Sequence, residues 1–196
     1  MIQKETVYAI RGLDPGDEIT MSYHVGGPAP HRGQILKQFF GFDCECELCS
    51  LPNDDRARSD ARHIQAQLLD EAVGDPKRAQ TAPGDVLADI RKLLKLYEVE
   101  GVLDSRIHRA YYDAVQLCNM HSDQARTKIF AHRCLKKRIM CEGPNSPGVP
   151  ELTGIMKCPA KHSSYRSTNK WTLGANEIPK HLGTNAFEEW LWKEIV

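Results

Sequence analysis

The chain has 196 residues, 41% of them hydrophobic and 27% charged, enough for one ordinary domain or two small ones. Lys plus Arg and Asp plus Glu both total 26, so the formal net charge is zero, which argues against a globally basic nucleic-acid binder or an acidic solvating tail. No apolar run approaches the roughly 20 residues of a membrane span. The start MIQKETVYAI also lacks a signal-peptide layout, so the expectation is an intracellular protein, nuclear or cytoplasmic, with no membrane partner.

Residues 5–10 (ETVYAI) and 18–23 (EITMSY) carry β-branched and aromatic side chains and read as two short strands around the turn Asp14-Pro15-Gly16-Asp17. After a loop through Gly26 and Gly27, the spacing predicts a helix from His31 to Phe40. Ile35, Leu36 and Phe39 would share one face, and Gly41 would close the helix. Seven cysteines follow an uneven pattern: Cys44, Cys46 and Cys49 crowd together, while Cys118, Cys134, Cys141 and Cys158 are scattered. An odd count with this spacing is no secreted disulfide framework and points to a reducing compartment.

Beyond residue 58 the pattern turns helical. Ser59 reads as the N-cap of a helix with Ala61, Ile64, Leu68 and Ala72 on its inner face, and 74–84 as a loop. Val86, Ile90, Leu93, Leu94 and Tyr97 form the clearest stripe, ending at Gly101. Helices over 105–120 and 122–141 are joined by so short a link that they should pair as a hairpin, as in tetratricopeptide-like arrays. Residues 143–183 read as irregular. Asn185 and Glu188 then suggest a capping box for a last helix presenting Phe187, Trp190 and Leu191 to the body.

Gly16-Asp17-Glu18-Ile19-Thr20-Met21-Ser22-Tyr23, then Arg32, Leu36, Phe40 and Phe42, then Cys44-Glu45-Cys46-Glu47-Leu48-Cys49, together resemble the end of a SET domain running into its post-SET segment. The pattern is similar to that of SET and MYND domain proteins and related fungal SET proteins, in which a helical region also follows the cysteines. The resemblance covers roughly the first 50 residues.

The resemblance implies a protein-lysine methyltransferase that uses S-adenosylmethionine, with a protein substrate bearing the target lysine, histones among the candidates. It implies that Tyr23 is the catalytic tyrosine, that Phe42 lies beside the cofactor's adenine, and that Phe40, a position often occupied by tyrosine, lines the lysine channel. It also implies that Cys44, Cys46 and Cys49 are zinc ligands. Three thiolates are one short of a tetrahedral zinc site. The family's fourth ligand sits in an Asn-His-Ser-Cys motif that this sequence lacks, as it lacks the glycine-rich segment for the cofactor's methionine end.

The expected fold is therefore mostly α. It comprises a strand remnant of a SET domain (1–25), a post-SET helix and cysteine cluster (26–52), a helical, tetratricopeptide-like region (53–142), and an irregular tail with a terminal helix (143–196). The expected function is that of the C-terminal portion of a longer methyltransferase, or of a reading frame opened at an internal methionine, inactive by itself. The alternative is a non-catalytic helical interaction module with a vestigial SET segment. The basic residues Arg126, Lys128, Arg133, Lys136, Lys137 and Arg138 suggest either a patch for acidic partners or a solvated helix face, and the second is favoured.

Overall fold

The stripe around Ile90 becomes the centre of the molecule. The computed structural model describes residues 6–24 and 26–194. Among them are α1 (Ala29–Phe40), α2 (Asn53–Val73), α3 (Pro76–Thr81), α4 (Pro83–Val99), α5 (Ser105–Met120), α6 (Gln124–Glu142), α7 (Gly148–Lys157) and α8 (Thr184–Leu191). The chain is thus mostly helical. In α4, Val86, Leu87, Ile90, Leu93 and Tyr97 are buried. Pro83 opens this helix, where its missing N–H costs nothing. Gly101, at φ 64°, lets the chain turn back so that the Val102 N–H bonds the Tyr97 carbonyl at 2.9 Å.

Helices α2 and α5 pack on α4, α5 pairs with α6, and α7 lies on α6, so each long helix covers the one before it. The α5–α6 pair is the hairpin that the short link predicts. Asp104 and Asp123 cap its two helices, each accepting a backbone N–H two or three residues on. The end of α8 seals the core: Leu191 is fully buried, and the Trp192 ring meets Phe130 at 4.8 Å.

Leu93 is fully buried, whereas Leu94, which the sequence places in the same stripe, is only half-buried. Leu93→Ala should therefore cost about 2–5 kcal/mol in urea unfolding. Leu94→Ala should cost markedly less. Equal losses would mean that the burial of α4 is wrongly described.

Several expectations are corrected. Helix α2 begins at Asn53, and Ser59 lies inside it, buried, with its hydroxyl on Glu100 Oε2 at 2.5 Å. Its inner face is Ser59, His63, Ala66 and Val73, whereas Ile64 and Leu68 are exposed. Polar anchoring overrode the apolar stripe: Glu100 also binds Arg62, and Asp70 binds Arg109. The loop expected over 74–84 contains α3, whose start is set by Asp75 accepting the N–H groups of Lys77 and Arg78. The irregular stretch contains α7, a helix hidden by Pro147, Gly148 and Pro150 but held by buried Leu152 and Ile155. No capping box forms in α8. Glu188 turns instead to Arg133 and to the Trp192 Nε1–H.

The expected strands are absent among residues 6–10 and 18–23, and residue 5 lies outside the described residues. A strand needs a partner to accept its backbone bonds, and these two segments do not pair. The turn between them does form: the Asp17 N–H bonds the Asp14 carbonyl at 3.0 Å, and Gly16 has φ 101°. Beyond the α5–α6 hairpin, the helices follow one another as a sequential array.

Candidate functional site

Helix α1 sets the geometry of the front end. Gly41 takes the left-handed conformation (φ 77°), and its N–H bonds Lys37 O at 3.2 Å. That turn places Phe40 and Phe42 on either side of a reversal. The Tyr23 ring meets both edge-on, with centroids 5.1 Å from Phe40 and 5.3 Å from Phe42. The sequence candidates for catalysis, channel and cofactor contact thus converge although Tyr23 lies 17 residues from Phe40. Both Tyr23 and Phe40 remain about half exposed, at 56% and 50%.

The cysteine loop follows directly. The ligand atoms of Cys44, Cys46 and Cys49 all lie within 4.8 Å of one another. Zinc–sulfur bonds of about 2.3 Å in a tetrahedron need sulfurs about 3.8 Å apart, so three corners fit. All three cysteines are free, and this donor set can bind zinc. Burial raises the Cys46 thiol, but the Cys49 N–H and the neighbouring sulfurs outweigh it and hold Cys46 below its usual range. At Cys44 the Cys46 backbone bond lowers the thiol, yet burial and the other thiols together leave it raised. One thiol of the cluster is thus favoured as thiolate over its neighbour. Glu45 and Glu47 are exposed.

Two arginines fasten this loop. Arg32 Nη2 donates to Cys49 Sγ at 3.7 Å, and Arg56 Nη1, in the first turns of α2, donates to Cys49 O at 3.4 Å. The sequence pattern includes Arg32 but gives it no role. Its burial was unpredictable because its partners lie on loops whose path depends on the glycines. The Gly26-Gly27 loop is in turn tied to the helical array, with the Ala29 N–H on Asp60 Oδ1 at 2.6 Å.

Several cysteines and histidines outside this loop bond within the helical array. Cys134 donates to His108 O at 3.2 Å inside the hairpin. His121, fully buried, bonds Ala79 O at 2.7 Å and the Thr168 hydroxyl, and burial lowers its pKa. His162 meets Ser164 and Glu151. The basic helix is no open patch either. Arg126 is buried, Arg133 is paired with Glu188, and Arg138 lies beside Glu142. These three cations serve packing, which leaves Lys136 as an exposed member of the set.

The chain is similar to histone-lysine N-methyltransferase set5 of Schizosaccharomyces pombe, with 28% identity over 164 residues, 83% of this chain and 51% of that protein. It is also similar to N-lysine methyltransferase SMYD2 of Mus musculus, 32% identical over 73 residues, 37% of this chain and 17% of that protein. The Homo sapiens SMYD2 is 30% identical over the same length. The chain therefore spans about half the length of set5 and a smaller share of SMYD2. No family model and no solved structure matches it.

Proposed function

We propose that this chain, which is similar to SET-domain protein-lysine methyltransferases, forms the C-terminal part of an S-adenosylmethionine-dependent enzyme of that family. Residues 1–25 would end the SET domain and 26–52 would form the post-SET helix and zinc loop. Residues 53–142 would be the helical, tetratricopeptide-like region, and 143–196 the tail. The substrate would be a protein with a target lysine, histones included.

One observation carries this reading. Val7, Ile19, Met21, Tyr23, Phe39 and Phe40 are all exposed, between 50% and 81%, in the front of the chain. Large exposed apolar clusters mark surfaces that another structure covers. The unpaired segments 6–10 and 18–23 need strand partners as well, and the rest of a SET domain would supply both.

In that enzyme S-adenosylmethionine would supply the electrophilic methyl group. The Tyr23 hydroxyl would orient the lysine amine, and Phe40 and Phe42 would wall the channel and the cofactor. Such transfer depends on alignment and on exclusion of water more than on covalent help from the protein. Cys44, Cys46 and Cys49 would hold zinc with a fourth thiolate from the missing Asn-His-Ser-Cys motif, fixing the wall that carries Phe42.

A second reading, a non-catalytic helical interaction module, is favoured by one fact: among the described residues, apart from Leu36, the buried apolar core lies entirely from Ala66 onward. The helical array can therefore stand without the front end. Sequencing the transcript upstream of Met1 separates the two. The methyltransferase reading expects an in-frame Asn-His-Ser-Cys and a glycine-rich segment, whereas a stop codon in frame immediately upstream would leave the interaction module.

A further inference from the structure

We propose that Arg32 couples the metal centre to the segment carrying Tyr23, its guanidinium balancing the metal-bound Cys49 thiolate while it holds the Gly27 carbonyl. The inference rests on reading the three cysteines as a metal site.

Arg32 sits in the first turns of α1 and is only 8% exposed. Its side-chain partners among the described residues are Gly27 O, through Nη1, and Cys49 Sγ, through Nη2 at 3.7 Å. Neither partner is a carboxylate. A buried guanidinium without a counter-charge is costly, because the lost hydration is repaid only by an opposing charge and well-directed bonds. A neutral thiol does not provide that charge. A metal-bound thiolate does: zinc with three thiolates carries a net negative charge, and coordination deprotonates the thiol outright. Partners that bond to ligating atoms also fix ligand orientation and tune affinity, commonly by 10–100-fold.

The other arm of the fork gives the coupling its direction. Gly27 has φ 80°, and its position is crowded by the His31 ring, 3.2 Å from where a Cβ would lie. A side chain at this position would be strained and crowded, so the turn needs glycine, and Arg32 holds its carbonyl. Three residues before it comes His24, directly after Tyr23. Loading the cluster would thus draw Arg32 onto Cys49 and hold the loop that fixes the tyrosine's approach to Phe40 and Phe42.

The test uses the purified chain with zinc, competed by a chromophoric chelator, and with cobalt(II) as a spectroscopic substitute. Arg32→Gln should weaken zinc binding by about 10-fold or more. It should also shift the thiolate-to-cobalt charge-transfer band, because the sulfur loses its donor. The backbone amides of Ala29 and Arg32, which bond Asp60 Oδ1 and Pro28 O, should lose hydrogen-exchange protection in this variant, and equally in the wild type stripped of zinc. Arg32→Lys keeps the charge but not the fork, so it should weaken zinc less and still release the loop. Should Arg32→Gln prove unfolded by circular dichroism, Arg32→Lys decides: wild-type zinc affinity together with wild-type protection overturns the proposal. Equal zinc affinity and an unchanged cobalt band in a folded Arg32→Gln also overturn it, leaving the metal site standing. A wild type that takes up neither metal overturns both the metal reading and this inference.

Discussion

In the methyltransferase proposed above, Tyr23→Phe is expected to depress lysine methylation by about 100-fold or more, because small misplacements of a reacting group cost about that much. The substitution removes one hydroxyl and leaves the ring that meets Phe40 and Phe42 edge-on. Fold and cofactor affinity should therefore hardly move, with stability changing by about 1 kcal/mol at most. The loss should appear in kcat and kcat/KM together, the pattern of an interaction made in the transition state. Initial rates with a saturating protein substrate check this, and wild-type turnover in the variant would make Tyr23 a packing residue only.

The largest stability effect is expected at Arg126. Its Nη1 pairs with Asp123 Oδ2 at 2.7 Å, and both residues are buried. Its Nε and Nη2 donate to the carbonyls of Trp190 and Leu191, and its guanidinium stacks 4.3 Å over the Trp190 ring. One side chain thus joins the start of α6 to the end of α8. Burial pushes the Asp123 carboxyl up against the opposing pull of Arg126, so removing the cation leaves an uncompensated buried acid. Arg126→Ala should cost about 3–5 kcal/mol by denaturant unfolding, with early proteolytic loss of the C-terminal helix. Adding Asp123→Asn, which keeps a capping side chain, should recover part of that loss. If the double variant is no better than the single one, the stranded carboxylate is not the main cost.

Local signals made some of this legible in the sequence. The α4 stripe, Gly41 and Gly101 as stops, and the short α5–α6 link each act within a few residues, and each appears where the pattern places it. The inner face of α2 was illegible because Ser59, Arg62 and His63 meet Glu100, some 40 residues away. Breakers that act as helix starts hid α3 and α7: Pro76 follows the cap Asp75, and Gly148 follows Pro147. At the site, the resemblance singled out Cys44, Cys46 and Cys49 and the aromatics Phe40 and Phe42, which flank the Gly41 turn. The contact of Tyr23 with both rings could not be read in the sequence, since it depends on the path through Gly26 and Gly27. Nor could the burial of Arg32, which depends on the same loop.

The central claim, that the front of this chain is one wall of a cofactor site completed by SET residues outside it, is tested most directly by calorimetric titration with S-adenosylmethionine. The titration would compare this chain with the same chain extended upstream through an in-frame Asn-His-Ser-Cys and glycine-rich segment, both zinc-loaded. The extended protein should bind the cofactor at micromolar affinity, while the 196-residue chain shows no heat of binding under the same conditions. Low-micromolar binding by the 196-residue chain alone, or none by the extended protein, would contradict the account.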